Sequence, residues 1–227
     1  MATWNACKTG RSTFPPALSA LAADFAVFQE VRQPSQPLPG LTWLGANPRI
    51  GLAAFAAPPW TAEPVERAAG TPWSIVPFRV GGPFAFTALL VWTRKEHEYL
   101  LGLDASLTAY SRLLTNGPAV VLGDFNSNVA WDNPRLATDF SRLSRRLNDE
   151  FGLHSAYHTW FNEAYGSETR ATHYFWRKKS RPFHIDFCFI PEGWLSKIRN
   201  VSVPDEEPWS DLSDHRPLLV DLDLGVP

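Results

Sequence analysis

Five short apolar stretches of this chain carry a carboxylate or an amide at one end, and that repeated pattern constrains the fold more than any other feature. ATWN stops at Asn5, DFAVFQE at Glu30, and AVVLGDFN at Asp124 and Asn126. HIDFCFIP carries Asp186 near its start, and Ser213-Asp214-His215 stand just before PLLVDLDL. Apolar runs this short, bounded by Gly, Pro, Asn or Asp, read as buried strands rather than helices. Taken singly, each polar ending is an ordinary turn residue. Taken together, they call for a fold that gathers several strand ends.

The intervening pattern says which kind of fold. PALSALAA reads as a helix, and residues 97–114 place Leu100, Leu103, Leu107, Tyr110 and Leu114 on one helical face. LATDFSRLSRRLNDEFG is a further amphipathic helix, with Gly152 as its C-cap and Arg142, Arg145 and Arg146 on a solvated face. RIGLAAFA and FRVGGPFAFTALLVW add strands, the second pair turning at Gly-Gly-Pro. HIDFCFIP alternates, with Ile185, Phe187 and Phe189 opposite His184, Asp186 and Cys188. Strands mixed with helices around a largely buried sheet predict an α/β or α+β layered sandwich. No linker interrupts the chain, so one domain over residues 1–227 is expected.

Composition narrows the partners. A formal charge of −2 makes the whole chain no magnet for nucleic acid or membrane, so attraction to a polyanion must be local. The N-terminus lacks an apolar signal region, and no window approaches the roughly eighteen apolar residues of a membrane span. A cytoplasmic monomer is the expectation. Cys7 and Cys188 each lie in an apolar stretch and are expected as buried free thiols, too few for a zinc site or a disulfide framework.

The strand ends carry the chemistry. Glu30, Asp124, Asp186 and Asp214, with Asn5, Asn126 and His215, all lie beside apolar runs, where unpaired charge is expensive. Carboxylates gathered there want a cation, and oxygen ligands suit Mg²⁺ or Mn²⁺. A histidine next to an aspartate, oriented by another carboxylate, suits a general base for water. These parts together describe metal-assisted hydrolysis of a phosphoester.

The same residues carry a family resemblance. WN at 4–5, QE at 29–30, GDFN at 123–126, IDF at 185–187 and SDH at 213–215 come in the order found in the endonuclease/exonuclease/phosphatase superfamily, from residue 4 to about residue 222. The resemblance implies a four-layer α/β/β/α sandwich with the active site at one end of two packed sheets. By position, Glu30 resembles the principal metal ligand, with Asn5 and Asp214 near the cation. Asp124 would position or deprotonate the attacking water, and Asn126 would donate to a phosphoryl oxygen, an interaction worth about 3 kcal/mol in comparable sites. Asp186 would orient His215, which contacts the phosphate or shares the role of base. The implied activity is divalent-metal-dependent phosphodiester hydrolysis, with a nuclease acting on DNA as the leading reading. The alternatives are hydrolysis of a small phosphorylated metabolite or lipid head group, and a non-catalytic nucleic-acid-binding relative.

One position departs from the family pattern. Where deoxyribonuclease-like relatives place a histidine or tyrosine that assists the leaving group, this chain has Trp92, whose indole N–H donates but does not titrate near neutrality. His173 is the first candidate to substitute, with His97 behind it. RATHYFWRKKSRPF, carrying Arg177, Lys178 and Lys179 among aromatics just before Asp186, reads as a local polyanion contact. Trp131, just after GDFN, is a candidate for the cleft wall.

Overall fold

The computed structural model describes residues 1–7 and 13–225, apart from the His97 side chain, which lies outside the described residues. In chain order the strands are β1 (Ala2–Asn5), β2 (Phe25–Val31), β3 (Leu41–Asn47), β4 (Ile50–Ala56), β5 (Thr61–Pro64), β6 (Ile75–Gly81) and β7 (Phe86–Trp92). They continue as β8 (Ala119–Asp124), β9 (Leu153–Ser155), β10 (His173–Tyr174), β11 (Pro182–Phe183), β12 (Asp186–Pro191), β13 (Ile198–Ser202) and β14 (Leu218–Leu222). The helices are α1 (Phe14–Ala20), α2 (Leu100–Ala109), α3 (Ser111–Thr115), α4 (Phe140–Phe151), α5 (Ala156–Phe161) and α6 (Trp209–Leu212).

Two six-stranded mixed sheets result, ordered β13-β14-β1-β2-β4-β3 and β5-β6-β7-β8-β12-β9, with β10 and β11 forming a separate hairpin. Alternation along each strand sorts the side chains into layers. Phe25, Val27, Leu52 and Ala54 of the first sheet meet Phe78, Leu90, Leu122 and Ile190 of the second in the inner core. On the outer side of the second sheet, Leu89, Val121, Phe187 and Phe189 pack against Leu103, Leu107, Phe140, Leu143 and Leu147 of the helices. On the outer side of the first, Trp4 and Phe28 meet Phe14 and Ala17 of α1 and Trp209 of α6. This is the four-layer sandwich that the strand-end motifs imply.

Helix α4 follows its sequence signals closely. Asp139 accepts the Arg142 N–H at 2.9 Å as N-cap, and Gly152 ends the helix in the left-handed region (φ 62°). The stretch 97–114 differs from the single helix its periodicity suggests. The chain bends at Tyr110 (φ −101°, ψ 10°), dividing α2 from α3. The Tyr110 hydroxyl there accepts the Ala68 N–H at 3.1 Å and lies 3.0 Å from Thr71 Oγ1. No helix among the described residues is long and apolar enough to cross a membrane.

Topology decides where the strand ends go. β1 and β2 are parallel neighbours in one sheet, and β7 and β8 are parallel neighbours in the other. Parallel strands finish at the same end, so Asn5 and Gln29 stand side by side, as do Trp92 and Asp124. β12 runs antiparallel to β8 and begins where β8 stops, which makes Asp186 the Cα partner of Asp124. β14 runs antiparallel to β1, and the residues just before it, Ser213 to His215, lie at that same end.

Candidate active site

Three local devices aim the side chains at this end of the sandwich. The first is Gly123 at φ 145°, where a Cβ would sit 1.9 Å from the Val91 carbonyl oxygen; only glycine lets β8 close on β7 there. The second is a register shift in β2 between Phe28 and Val31, with Glu30 left-handed at φ 56°. Gln29 stays inside, donating to Thr3 Oγ1 at 3.1 Å, while the shift brings the Glu30 carboxylate within 3.4 Å of Asn5 Nδ2. The third is Asn126, also left-handed (φ 46°), whose turn folds its amide back onto Asp124.

Asp124 is fully buried and held by several donors. Its Oδ2 accepts from Asn5 Nδ2 at 2.8 Å and Asn126 Nδ2 at 2.9 Å, and its Oδ1 accepts the Asn126 backbone N–H at 2.8 Å. Burial first, and then the neighbouring Asp186 charge, push its carboxyl well above the ordinary range, although His215 and Asn5 pull the other way. Asn126 Nδ2 also donates to the Thr93 carbonyl at 3.1 Å, so both of its amide hydrogens are committed. Donation to a phosphoryl oxygen therefore requires exchange of one of these bonds.

Asp186 and His215 form a buried pair, Oδ2 to Nδ1 at 2.9 Å. Burial alone would lower the His215 pKa, but the Asp186 charge and hydrogen bond, followed by Asp124 and Asp214, raise it to about 9. Asp186 Oδ1 is buried with no hydrogen-bond partner among the described residues. Asp214 resists the effect of its own burial and lies well below the usual carboxylate range because His173 and His215 face it. Ser213 anchors this loop by donating its hydroxyl to the Asn5 carbonyl at 2.7 Å and accepting the His215 N–H at 3.0 Å.

The remaining sequence candidates are placed less uniformly. His173 joins the site: it forms a β-bridge with His215, and the two rings stand 4.4 Å apart. Trp131 is 45% exposed and packs 4.8 Å from Phe183, which stacks in turn on His173. Trp92 is buried against the inner core, edge-on to Trp73, with the Arg94 guanidinium lying 4.2 Å over its ring. Arg177 donates to the Asp211 carbonyl at 3.0 Å, and Lys179 pairs with Asp205 at 3.4 Å, so both cations are engaged within the protein. Lys178 flanks Trp176, which is 64% exposed, and Arg181 lies on the same ring at 4.8 Å.

Several contributors escape a motif-based reading. The Thr172 hydroxyl accepts the backbone N–H groups of Ile185 (2.9 Å) and Asp186 (3.0 Å), fixing where β12 starts. Arg216, 4% exposed, donates to Asp205 and to the Ser213 and His215 carbonyls. Its place directly after SDH is the only sequence signal it offers. Cys188 is buried as expected, whereas Cys7 is half-buried at the site. Burial first, and then hydrogen bonding to Asp214, push the Cys7 thiol up to about 11.

Residues 2–215 match the profile of the Endonuclease/Exonuclease/phosphatase family. The search of curated proteins finds no match. Among solved structures, the chain resembles the 3' phosphatase NExo from Neisseria bound to product DNA hairpin, with a TM-score of 0.68, 17% identity and 98% of each chain covered. It resembles an AP endonuclease from Archaeoglobus fulgidus with a TM-score of 0.66, 17% identity and 98% of each chain covered. For the endonuclease domain of TRAS1, a telomere-specific non-LTR retrotransposon, the TM-score is 0.66 at 17% identity, covering 98% of this chain and 97% of that one. At these identities the likeness shows a shared fold, and the profile match supplies the kinship: this chain belongs to the endonuclease/exonuclease/phosphatase family.

Proposed function

We propose that the protein is a divalent-metal-dependent phosphodiesterase that cleaves DNA by in-line attack of an activated water. One observation carries the reading. Asp124 and Asp186 are buried as Cα partners, with Asp186 Oδ1 unpartnered and Glu30 and Asp214 at the same strand ends. So much negative charge beside a core fits a bound cation. Glu30, Asp214 and the Asn5 amide offer oxygen, which suits Mg²⁺ or Mn²⁺. When bound, such an ion polarises a phosphoryl oxygen and offsets the charge of the transition state.

The chain's own residues divide the rest of the work. Asp124, fixed by Asn5 and Asn126, holds the attacking water and takes its proton. Asn126 exchanges one of its present bonds to donate to the phosphoryl oxygen as charge builds there. Asp186 fixes His215 through Nδ1, leaving Nε2 as the free ring nitrogen for the substrate or a cation.

DNA as substrate is supported by the aromatic row Trp131–Phe183–His173, which leads from the surface to the site and suits the faces of sugar and base. Trp176, flanked by Lys178 and Arg181 at the hairpin tip, adds stacking and local positive charge to a chain with little overall. Relatives of this fold are described as bound to a DNA hairpin and as an AP endonuclease.

The test is a substrate panel with metal-stripped protein: supercoiled plasmid, abasic duplex, single-stranded DNA, 3'-phosphorylated DNA and bis-p-nitrophenyl phosphate, each with Mg²⁺, Mn²⁺ or EDTA. Metal-dependent DNA cleavage that Asp124→Ala abolishes is the expected result. Turnover of the small phosphodiester alone would overturn the DNA reading. No metal-dependent turnover of any substrate would overturn the enzyme.

A further inference from the structure

One side of the site is built of nitrogen rather than oxygen. His173, Asp214 and His215 each offer a ligand atom, and these atoms lie within 4.8 Å of one another. We propose that this chain binds a borderline-soft divalent cation, Zn²⁺ by preference, between His173, Asp214 and His215, beside the oxygen-lined position at Glu30 and Asn5. The inference rests on the hydrolase reading for its purpose, and on the residues themselves for its chemistry.

Backbone geometry holds the cluster together before any ion arrives. The bridge between His173 and His215, with the Tyr174 N–H donating to the Asp214 carbonyl at 2.8 Å, ties the hairpin strand to the loop before β14. The two imidazoles are thereby held 4.4 Å apart by main chain, not by side-chain chance. His215 donates Nδ1 to Asp186, so a cation would meet Nε2, the carboxylate–histidine–metal arrangement that orients metal-bound rings.

His173 supplies the second argument. Among the described residues its buried Nδ1 has no hydrogen-bond partner, and its Nε2 stands 3.8 Å from Asp214 Oδ2, beyond hydrogen-bond length. A largely buried ring with neither nitrogen in a normal hydrogen bond is poorly served by the protein alone. A cation between them would satisfy Nε2 and the carboxylate, and would fix the tautomer that carries its proton on Nδ1. Two imidazoles and one carboxylate, with a fourth position left for water, is the ligand set of catalytic zinc rather than of magnesium.

The assignment changes the roles around it. Asp214 becomes a carboxylate shared between two cation positions, as in two-metal phosphoesterases. His173 serves as a ligand and not as the acid that replaces the missing histidine or tyrosine, since one Nε2 cannot do both. With His215 Nε2 on the ion, Asp124 remains the base.

Cobalt reports the site without an activity assay. Metal-stripped protein is titrated with Co²⁺ in excess Mg²⁺, and ligand-field absorption in the visible is followed. One equivalent should give enhanced bands that Zn²⁺ abolishes and Mg²⁺ leaves in place. His173→Asn, which removes a proposed ligand, should weaken binding by at least about 10-fold. X-ray absorption of the Zn²⁺-loaded parent, which needs no variant, should count two imidazole ligands. Cobalt spectra like the aqueous ion, binding unchanged in His173→Asn, or fewer than two imidazoles would each overturn the proposal. In that case Mg²⁺-dependent DNA cleavage by the parent would leave the hydrolase reading standing. Two-imidazole Zn²⁺ binding without turnover of any phosphoester would do the reverse.

Discussion

His184 ties the acid stability of the protein to its candidate active site. It is 3% exposed, packs with its ring centre 4.2 Å from that of Tyr157, and sets Nδ1 against the Arg170 carbonyl at 2.9 Å. Its own carbonyl accepts Asn128 Nδ2 at 2.9 Å, two residues before Asp186. Burial lowers its pKa from 6.5 to about 4, against a smaller raising effect of the Arg170 carbonyl and Glu168. Because the folded pKa lies below the unfolded one, the unfolded chain binds more protons between these values. Stability therefore falls as pH drops below 6.5 and stops falling on this account near 4. The full difference corresponds to about 3 kcal/mol, most of which is lost by roughly pH 4.5. That is a large share of the stability of about 5–15 kcal/mol usual for a domain.

Urea unfolding of the metal-stripped parent and of His184→Asn, from about pH 7 down to about pH 4.5, measures this. The variant loses ring packing, an offset that does not change with pH, and it lacks the titration. Asp124 titrates in both proteins and cancels from the difference. Glu168, lowered from 4.5 to about 2 by His158 and the Gly166 N–H against its own burial, stabilises fully above 4.5, so its loss falls below the window. The parent's advantage should shrink or reverse by about 2 kcal/mol or more on acidification. Parallel curves would refute the reasoning and place the proton elsewhere.

Further outcomes follow from the same contacts. Gly123→Ala forces a Cβ onto the Val91 carbonyl at a left-handed φ, and should cost about 2–6 kcal/mol in urea unfolding together with most activity; a stability equal to the parent's would show that β8 does not need the close approach. Asp186→Asn keeps the shape beside His215 but removes the charge, so phosphoester turnover by the folded variant should fall about 100- to 10,000-fold. Trp176→Ala should weaken single-stranded DNA binding by about 1–3 kcal/mol in fluorescence anisotropy, and Lys178→Ala with Arg181→Ala should flatten its salt dependence. Unchanged affinity and slope would make the hairpin tip an ordinary solvated turn.

Much of the fold was legible because buried strands carry their own signal. β1, β2, β4, β6, β7, β8, β12 and β14 all read as apolar runs. In the two large sheets the strands that escaped, β3, β5, β9 and β13, are the four edges, and the short β10–β11 hairpin escaped with them. β3 and β5 hold no fully buried residue, so nothing in their sequence marks them apart from loops. The break in 97–114 escaped for a related reason: a helical face reports which residues are buried, and Tyr110 stays buried on either side of the bend.

For the candidate site, residue type and order were enough to nominate Asn5, Glu30, Asp124, Asn126, Asp186, Asp214 and His215, because each stands at one end of an apolar run. Their distances were not, since those depend on pairing between segments as far apart as residues 5 and 213. Only the tertiary structure made Asp186 the Cα partner of Asp124, set His173 beside His215, and brought Cys7 to Asp214. It also buried Trp92 under Arg94 and engaged Arg177 and Lys179 with backbone and carboxylate. A sequence records what a side chain can do; which charges share a buried space depends on strand register, and register is a property of the paired sheets.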